Sequence, residues 1–73
     1  MKAEVTIGAR VVVKNRRTRA YAGEKQHWTS DASSARCFEN AYHALYFCVS
    51  QDIDGAEIVE HFPDGHEVRF LRC

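Results

Sequence analysis

The sequence predicts an α+β fold in the order ββαββ, an antiparallel β-sheet built from two β-hairpins with one main helix packed on one face. Three observations carry that prediction. Residues 5–14 are rich in β-branched side chains and run into a polar turn, Asn15-Arg16-Arg17-Thr18, from which residues 19–22 can return as a second strand. Residues 41–51 carry no charge and place apolar side chains at helical spacing behind a capping asparagine, Asn40. Pro63-Asp64-Gly65 separates two alternating segments, 57–62 and 66–72. Proline presets φ for such a turn and glycine is free to take positive φ, so the two segments are expected to pair as a second hairpin. One sheet layer buries the helix stripe and one side of each strand.

A chain of 73 residues allows a single domain, 1–73, and no more. It buries roughly 60% of the surface its unfolded form exposes, so the core is expected to be thin. Apolar residues make up 45% and charged residues 27%, a balance that argues against disorder. No apolar run approaches the roughly 18 residues needed to cross a bilayer. The start, Met1-Lys2-Ala3-Glu4-Val5-Thr6, has no apolar stretch of the secretory kind, so the expected location is the cytoplasm and no membrane partner is expected. Three cysteines, Cys37, Cys48 and Cys73, make an odd and scattered set, which argues against a disulfide framework. Cys48 falls on the apolar helix face and reads as core. Cys73, the last residue, reads as frayed.

Net charge is zero, yet residues 1–36 carry +5 and residues 37–73 carry −5. Interleaving of the two halves in one sheet would neutralise both.

Within the first hairpin, Val5 and Ile7 alternate with polar residues, Gly8 marks a bulge or an end, and Tyr21 faces the core. Gly23-Glu24-Lys25-Gln26 is a loop, and Trp28 follows it. Thr29, Ser30 and Asp31 are all good caps, and two readings compete for what comes next. Either one helix runs over 31–51, or a short helical turn spans 31–35, Cys37 and Phe38 are extended, and Asn40 caps a second helix. The interior cap signal Glu39-Asn40 favours the broken form. At about 100° per residue, Ala41, Tyr42, Leu45, Cys48 and Val49 cluster on the expected core face, with His43, Phe47, Ser50 and Gln51 opposite. In the second hairpin, Ile58, Phe62, Val68 and Phe70 are expected to be mostly buried.

Tyr21-Ala22-Gly23, Trp28-Thr29-Ser30-Asp31, Ala35-Arg36-Cys37-Phe38 and Ala41 together resemble a class of small bacterial and phage proteins. Those share a strand, a glycine, tryptophan-threonine-x-aspartate, a short helical turn, alanine-arginine-x-phenylalanine and a helix. The resemblance covers about residues 10–48. It implies an α+β fold with a broken helix, and it implies no activity. On their own chemistry, Trp28 and Phe38 read as core anchors and Asp31 as a cap.

Candidate chemistry divides into four classes. Metal ligands exist in principle (Cys37, Cys48, Cys73, His27, His43, His61, His66), but no C-x-x-C or H-x-x-x-H spacing is present. His61 and His66 could approach across the hairpin and supply at most half a tetrahedral site. Nothing activates a cysteine–histidine pair, and no phosphate-binding glycine loop or serine elbow occurs, so neither enzyme activity nor a cofactor is expected. Lys14, Arg16, Arg17 and Arg19 put four cations in six positions at a hairpin tip near Tyr21 and Trp28, the equipment for phosphate contact and base stacking. The pI of about 6.9 weighs against that reading. Phe47 beside His43 on an uncharged helix suggests a surface for a protein partner, or for a second copy in a homodimer. The sequence thus favours a small non-catalytic protein-interaction module over a binder of nucleic acid or another polyanion.

Overall fold

The computed structural model describes residues 9–24 and 27–72. Its elements are β1 (Arg10–Asn15), β2 (Tyr21–Ala22), β3 (Trp28–Thr29), a 3-10 turn (Ala32–Ser34), α1 (Ala41–Ser50), β4 (Ala56–His61) and β5 (Glu67–Arg72). The strands form one five-stranded sheet in the order β3-β2-β1-β4-β5, with every pairing antiparallel. This corrects the ββαββ expectation. Residues 28–29 add a short strand beyond the first hairpin, and the two hairpins join through β1 and β4, which pair over their whole length from Arg10↔His61 to Asn15↔Ala56. The expected strand over 5–14 is β1 at its second half, and residues 5–8 lie outside the described residues.

The tip of the first hairpin is held by one side chain. Asn15 Oδ1 accepts hydrogen bonds from the backbone amides of Arg17 and Thr18, both at 2.9 Å. That is an asparagine turn, the local alternative to a ladder. Arg19 closes the turn at φ 68°, a left-handed conformation that costs a non-glycine residue strain. In the second hairpin, Gly65 sits at φ 99° and its amide donates to the Phe62 carbonyl at 2.9 Å, as the Pro63-Asp64-Gly65 turn requires.

The break between the two helical segments is real. Asp31 caps the 3-10 turn by accepting from the Ser33 amide at 3.0 Å and from the Ser33 hydroxyl at 2.7 Å. Those bonds and one from the Ser34 hydroxyl hold its carboxyl below the usual carboxylate range. Phe38 is extended and bridges to Val11. Asn40 then accepts from the His43 amide at 2.9 Å and starts α1. At the other end Asp52 takes φ 56°, Ile53 N–H reaches the Cys48 carbonyl and Asp52 N–H the Val49 carbonyl. This is the Schellman stop, here with aspartate where glycine is usual. Asn40→Ala should therefore lower stability by about 1 kcal/mol, because a first-turn amide loses its only side-chain acceptor. Urea denaturation reads this directly; an unchanged midpoint would show that water replaces the cap without cost.

The sheet buries residues on both faces. On the helix side, Val13, Ala22, Ala44, Cys48, Ala56 and Ile58 form one cluster, with Val11, Phe38, Leu45, Phe47 and Ile53 packed around it. On the other side, Val12, Tyr21, Ala35 and Val59 form a second, with Ala32 against it. α1 is turned from its expected orientation. Ala44 and Cys48 face the sheet, while Tyr42, Tyr46 and Val49 are 81%, 74% and 70% exposed. Small side chains let α1 sit close over β1 and β4, and the two phenols keep their hydroxyls in water. Trp28, expected as a core anchor, is exposed on the short outer strand β3.

Val68 and Phe70 are also exposed, against expectation. The ladder between β4 and β5 shifts register between Ile58 and Val59, so Arg69 faces Val59 and Leu71 faces Ile58, with Phe70 as the extra residue of a bulge. Among the described residues β5 is the last strand on its side of the sheet, and α1 packs on β1 and β4. Simple alternation could not foresee either fact. No helix among the described residues is long and apolar enough to cross a membrane.

Candidate interaction groove

The two sheet faces carry different chemistry. On the face away from α1, four strands each contribute one polar side chain to a cluster centred on Glu67. Lys14 Nζ donates to Glu67 Oε1 at 2.7 Å, and Tyr21 Oη donates to Oε2 at 2.5 Å. His61 Nδ1 lies 2.8 Å from Oε2, and its ring meets the Tyr21 ring edge-on at 6.1 Å. The Lys14 and Glu67 side chains are only 12% and 17% exposed. Burial pushes the Glu67 carboxyl up, but the bonds from Lys14, Tyr21 and His61 outweigh it and bring it down to about 2. Burial, and then the bond to Glu67, push the Tyr21 phenol up to about 12. At neutral pH the carboxylate is ionised and the phenol neutral, and neither exchanges a proton there. The cluster acts as a clamp across β1, β2, β4 and β5. It also shows how the two oppositely charged halves interleave.

The helix side carries the groove. It runs between the extended segment at residues 36–39 and α1, has a volume of about 600 Å³, and is walled by Arg36, Phe38, His43, Tyr46 and Phe47 among others. A smaller groove of about 170 Å³, lined by His27, Trp28 and Ile53, shares Phe47 and Gln51 with it. The two form one furrow along the flank of α1 that faces β2 and β3.

Phe47 is half-buried, which corrects the expectation of an exposed ring. It packs on the core cluster and meets Phe38 at 5.1 Å between ring centroids. The Arg36 guanidinium lies 5.3 Å from the Phe38 ring and 5.1 Å from that of Phe47. A guanidinium held over ring faces in this way is attracted by them and keeps its N–H groups for a further partner. The Arg36 amide donates to the Ala22 carbonyl at 2.8 Å, which anchors the segment to the sheet. His43, the other residue expected at an interface, is exposed and pairs with Glu39 at 3.3 Å. The structure therefore brings Phe47 and His43 into one groove wall, with Phe47 as floor rather than tip.

Sequence reasoning missed Arg36 and the Glu67 clamp. The clue for the clamp was present, since alternation puts Lys14 and Tyr21 on one side and His61 and Glu67 flank the turn. What could not be read was that these two pairs meet.

The basic tip has fewer available cations than its sequence suggests. Lys14 is turned inward onto Glu67, and Arg16 Nε lies 3.9 Å from Glu57, which also takes Arg69 at 3.2 Å. Arg17 and Arg19 are exposed, and among the described residues they show no ion pair. The histidines proposed to meet across the hairpin have separate partners. His61 binds Glu67, while His66 stacks on Phe62 at 4.5 Å and contacts Asp64 at 2.9 Å. No group of three or more metal-ligating side chains occurs among the described residues. Cys37 is exposed and Cys48 buried, neither of them in a disulfide, and Cys73 lies outside the described residues. Comparison with protein-family models, with curated proteins and with solved structures found no match.

Proposed function

We propose that this protein is a non-catalytic protein-interaction module whose groove takes an extended segment of a partner protein. The observation that carries the reading is the Arg36 guanidinium held over the Phe38 and Phe47 rings in the groove wall. Arginine and aromatic side chains are enriched among residues that dominate binding energy at interfaces. Tyr46, exposed on the rim, adds a rigid amphipathic contact at small entropic cost. The partner chemistry follows from the walls: an acidic side chain to meet the Arg36 edge, next to an apolar or aromatic one to lie against Phe47.

Selection from a random peptide library should enrich sequences that combine those two features. Arg36→Ala and Tyr46→Ala should each weaken the selected peptides about tenfold or more, the size expected of a binding hot spot. Enrichment without acidic residues, or peptides that bind both variants as well as the original chain, would overturn the reading. A nucleic-acid titration of the same samples tests the polyanion alternative. Tight binding at low salt that survives both changes and falls with Arg17→Ala and Arg19→Ala would move the function to the hairpin tip.

A further inference from the structure

We infer that β5 is the contact strand of a homodimer, in which two copies join their sheets edge to edge around a two-fold axis. This extends the interaction reading to a second surface and does not depend on the groove. The argument begins with exposure. Val68, Phe70 and Leu71 are 43%, 45% and 40% exposed on a six-residue strand that pairs only with β4 among the described residues. An edge that presents both apolar side chains and unpaired backbone groups is a template for another strand.

The bulge and the arginines on β5 discourage indiscriminate pairing, and they single out one register. Because the bulge shifts the alternation by one residue, Glu67, Arg69 and Arg72 share a face with His61, Val59 and Glu57, while Val68 and Leu71 share the helix-bearing face with Glu60 and Ile58. In an antiparallel two-fold pairing centred between residues 69 and 70, Val68 falls opposite Leu71 of the copy. Apolar side chains then meet on the helix-bearing face, and each contact occurs twice, while the Glu67 carboxylate stays with Lys14, Tyr21 and His61 of its own chain. A strand without the bulge would put Val68 and Leu71 on opposite faces, so the match would be lost.

The helix side adds to the same seam. Leu45, Val49 and Tyr42 lie on the flank of α1 opposite Phe47 at about 100° per residue, which is the flank toward β5. Val49 is exposed at 70% and Tyr42 at 81%. With strands about 4.8 Å apart, the two helices would stand about 19 Å from each other across the axis, twice the distance of packed helices. The space between is one that Val68, Leu71, Val49 and the long Tyr42 side chains of both copies can fill.

Sedimentation of the full chain tests the inference. The expected mass is twice the 8.3 kDa of one chain, falling toward a single chain on dilution. Val68→Lys should weaken dimerisation about tenfold or more. Leu71→Lys, at a position 40% exposed in the single chain, serves in case that variant does not fold, and should do the same by setting a charge opposite Val68 of the copy. Arg36→Ala and Tyr46→Ala should leave the mass unchanged, which separates this surface from the groove. A single-chain mass at every concentration would overturn the inference. So would a dimer that both β5 variants leave intact, or a monomer whose β5 amides resist hydrogen exchange because the edge is covered within the chain.

Discussion

Acid should remove about 3 kcal/mol of stability from this domain through Glu67 alone. The carboxyl is brought from its ordinary 4.5 to about 2 in the folded state, a gap of about 2.5 pKa units. The folded pKa is depressed, so the stabilisation is complete above 4.5, falls as pH drops, and is gone below about 2. Tyr21 acts in the opposite sense at the alkaline end. Its pKa is raised from 10.0 to about 12, so its share is complete below 10 and lost as pH rises through 12. Stability should show a plateau between the two windows. Asp31 and Asp64 also have lowered values, but they lie in the open and add little. Glu67→Gln isolates the effect. It should cost about 3 kcal/mol at neutral pH, the lower end for breaking a buried ion pair, because Lys14 keeps 12% exposure. Its stability should then decline far less between pH 4.5 and 2 than that of the original chain. Urea denaturation at stepped pH measures both. An original chain that keeps full stability at about pH 2, or a variant with the same acid decline, would refute the clamp.

The features legible in the sequence were those decided within a few residues. Asn40 and Asp31 announce helix starts because a short side-chain oxygen reaches the next free amides, and both do so in the structure. Pro63-Asp64-Gly65 announces its turn for equally local reasons. What stayed hidden depends on neighbours far along the chain. The helix face was misjudged because nearly every position on α1 is apolar, so periodicity offers no unique stripe. Close approach to β1 and β4 selected Ala44 and Cys48 over the larger Tyr42 and Val49. Phe70 was misplaced because a bulge in β5 leaves no mark in alternation. The groove was half legible. His43 and Phe47 were singled out for an uncharged helix carrying an aromatic ring, but Arg36 joins them only because the extended segment at residues 36–39 crosses back beside β1.

The same selection leaves no aromatic side chain among the fully buried ones, and this makes Ile58 the position of greatest consequence. The largest fully buried side chains are Ile58, Val12, Val13 and Cys48. Ile58 faces Val13 across the ladder between β1 and β4, under Ala44 and Cys48 of α1. None of these neighbours is long enough to fill the space that Ile58→Ala would open, so the cost should be the full transfer and cavity cost, about 2–5 kcal/mol. A small domain holds about 5 kcal/mol in total, so the variant should be largely unfolded near body temperature. Leu71 sits directly across the ladder from Ile58 and is 40% exposed, so Leu71→Ala should cost the isolated chain under about 1 kcal/mol. The comparison of the two variants by thermal unfolding at several concentrations separates the core from the edge. Ile58→Ala should lower the midpoint at every concentration, because its loss lies within one chain. Leu71→Ala should do most of its damage where the original chain is dimeric, since there the rest of the side chain is covered by Val68 of the copy. Equal losses for the two at high dilution would mean that β5 belongs to the core of the single chain and is no free edge.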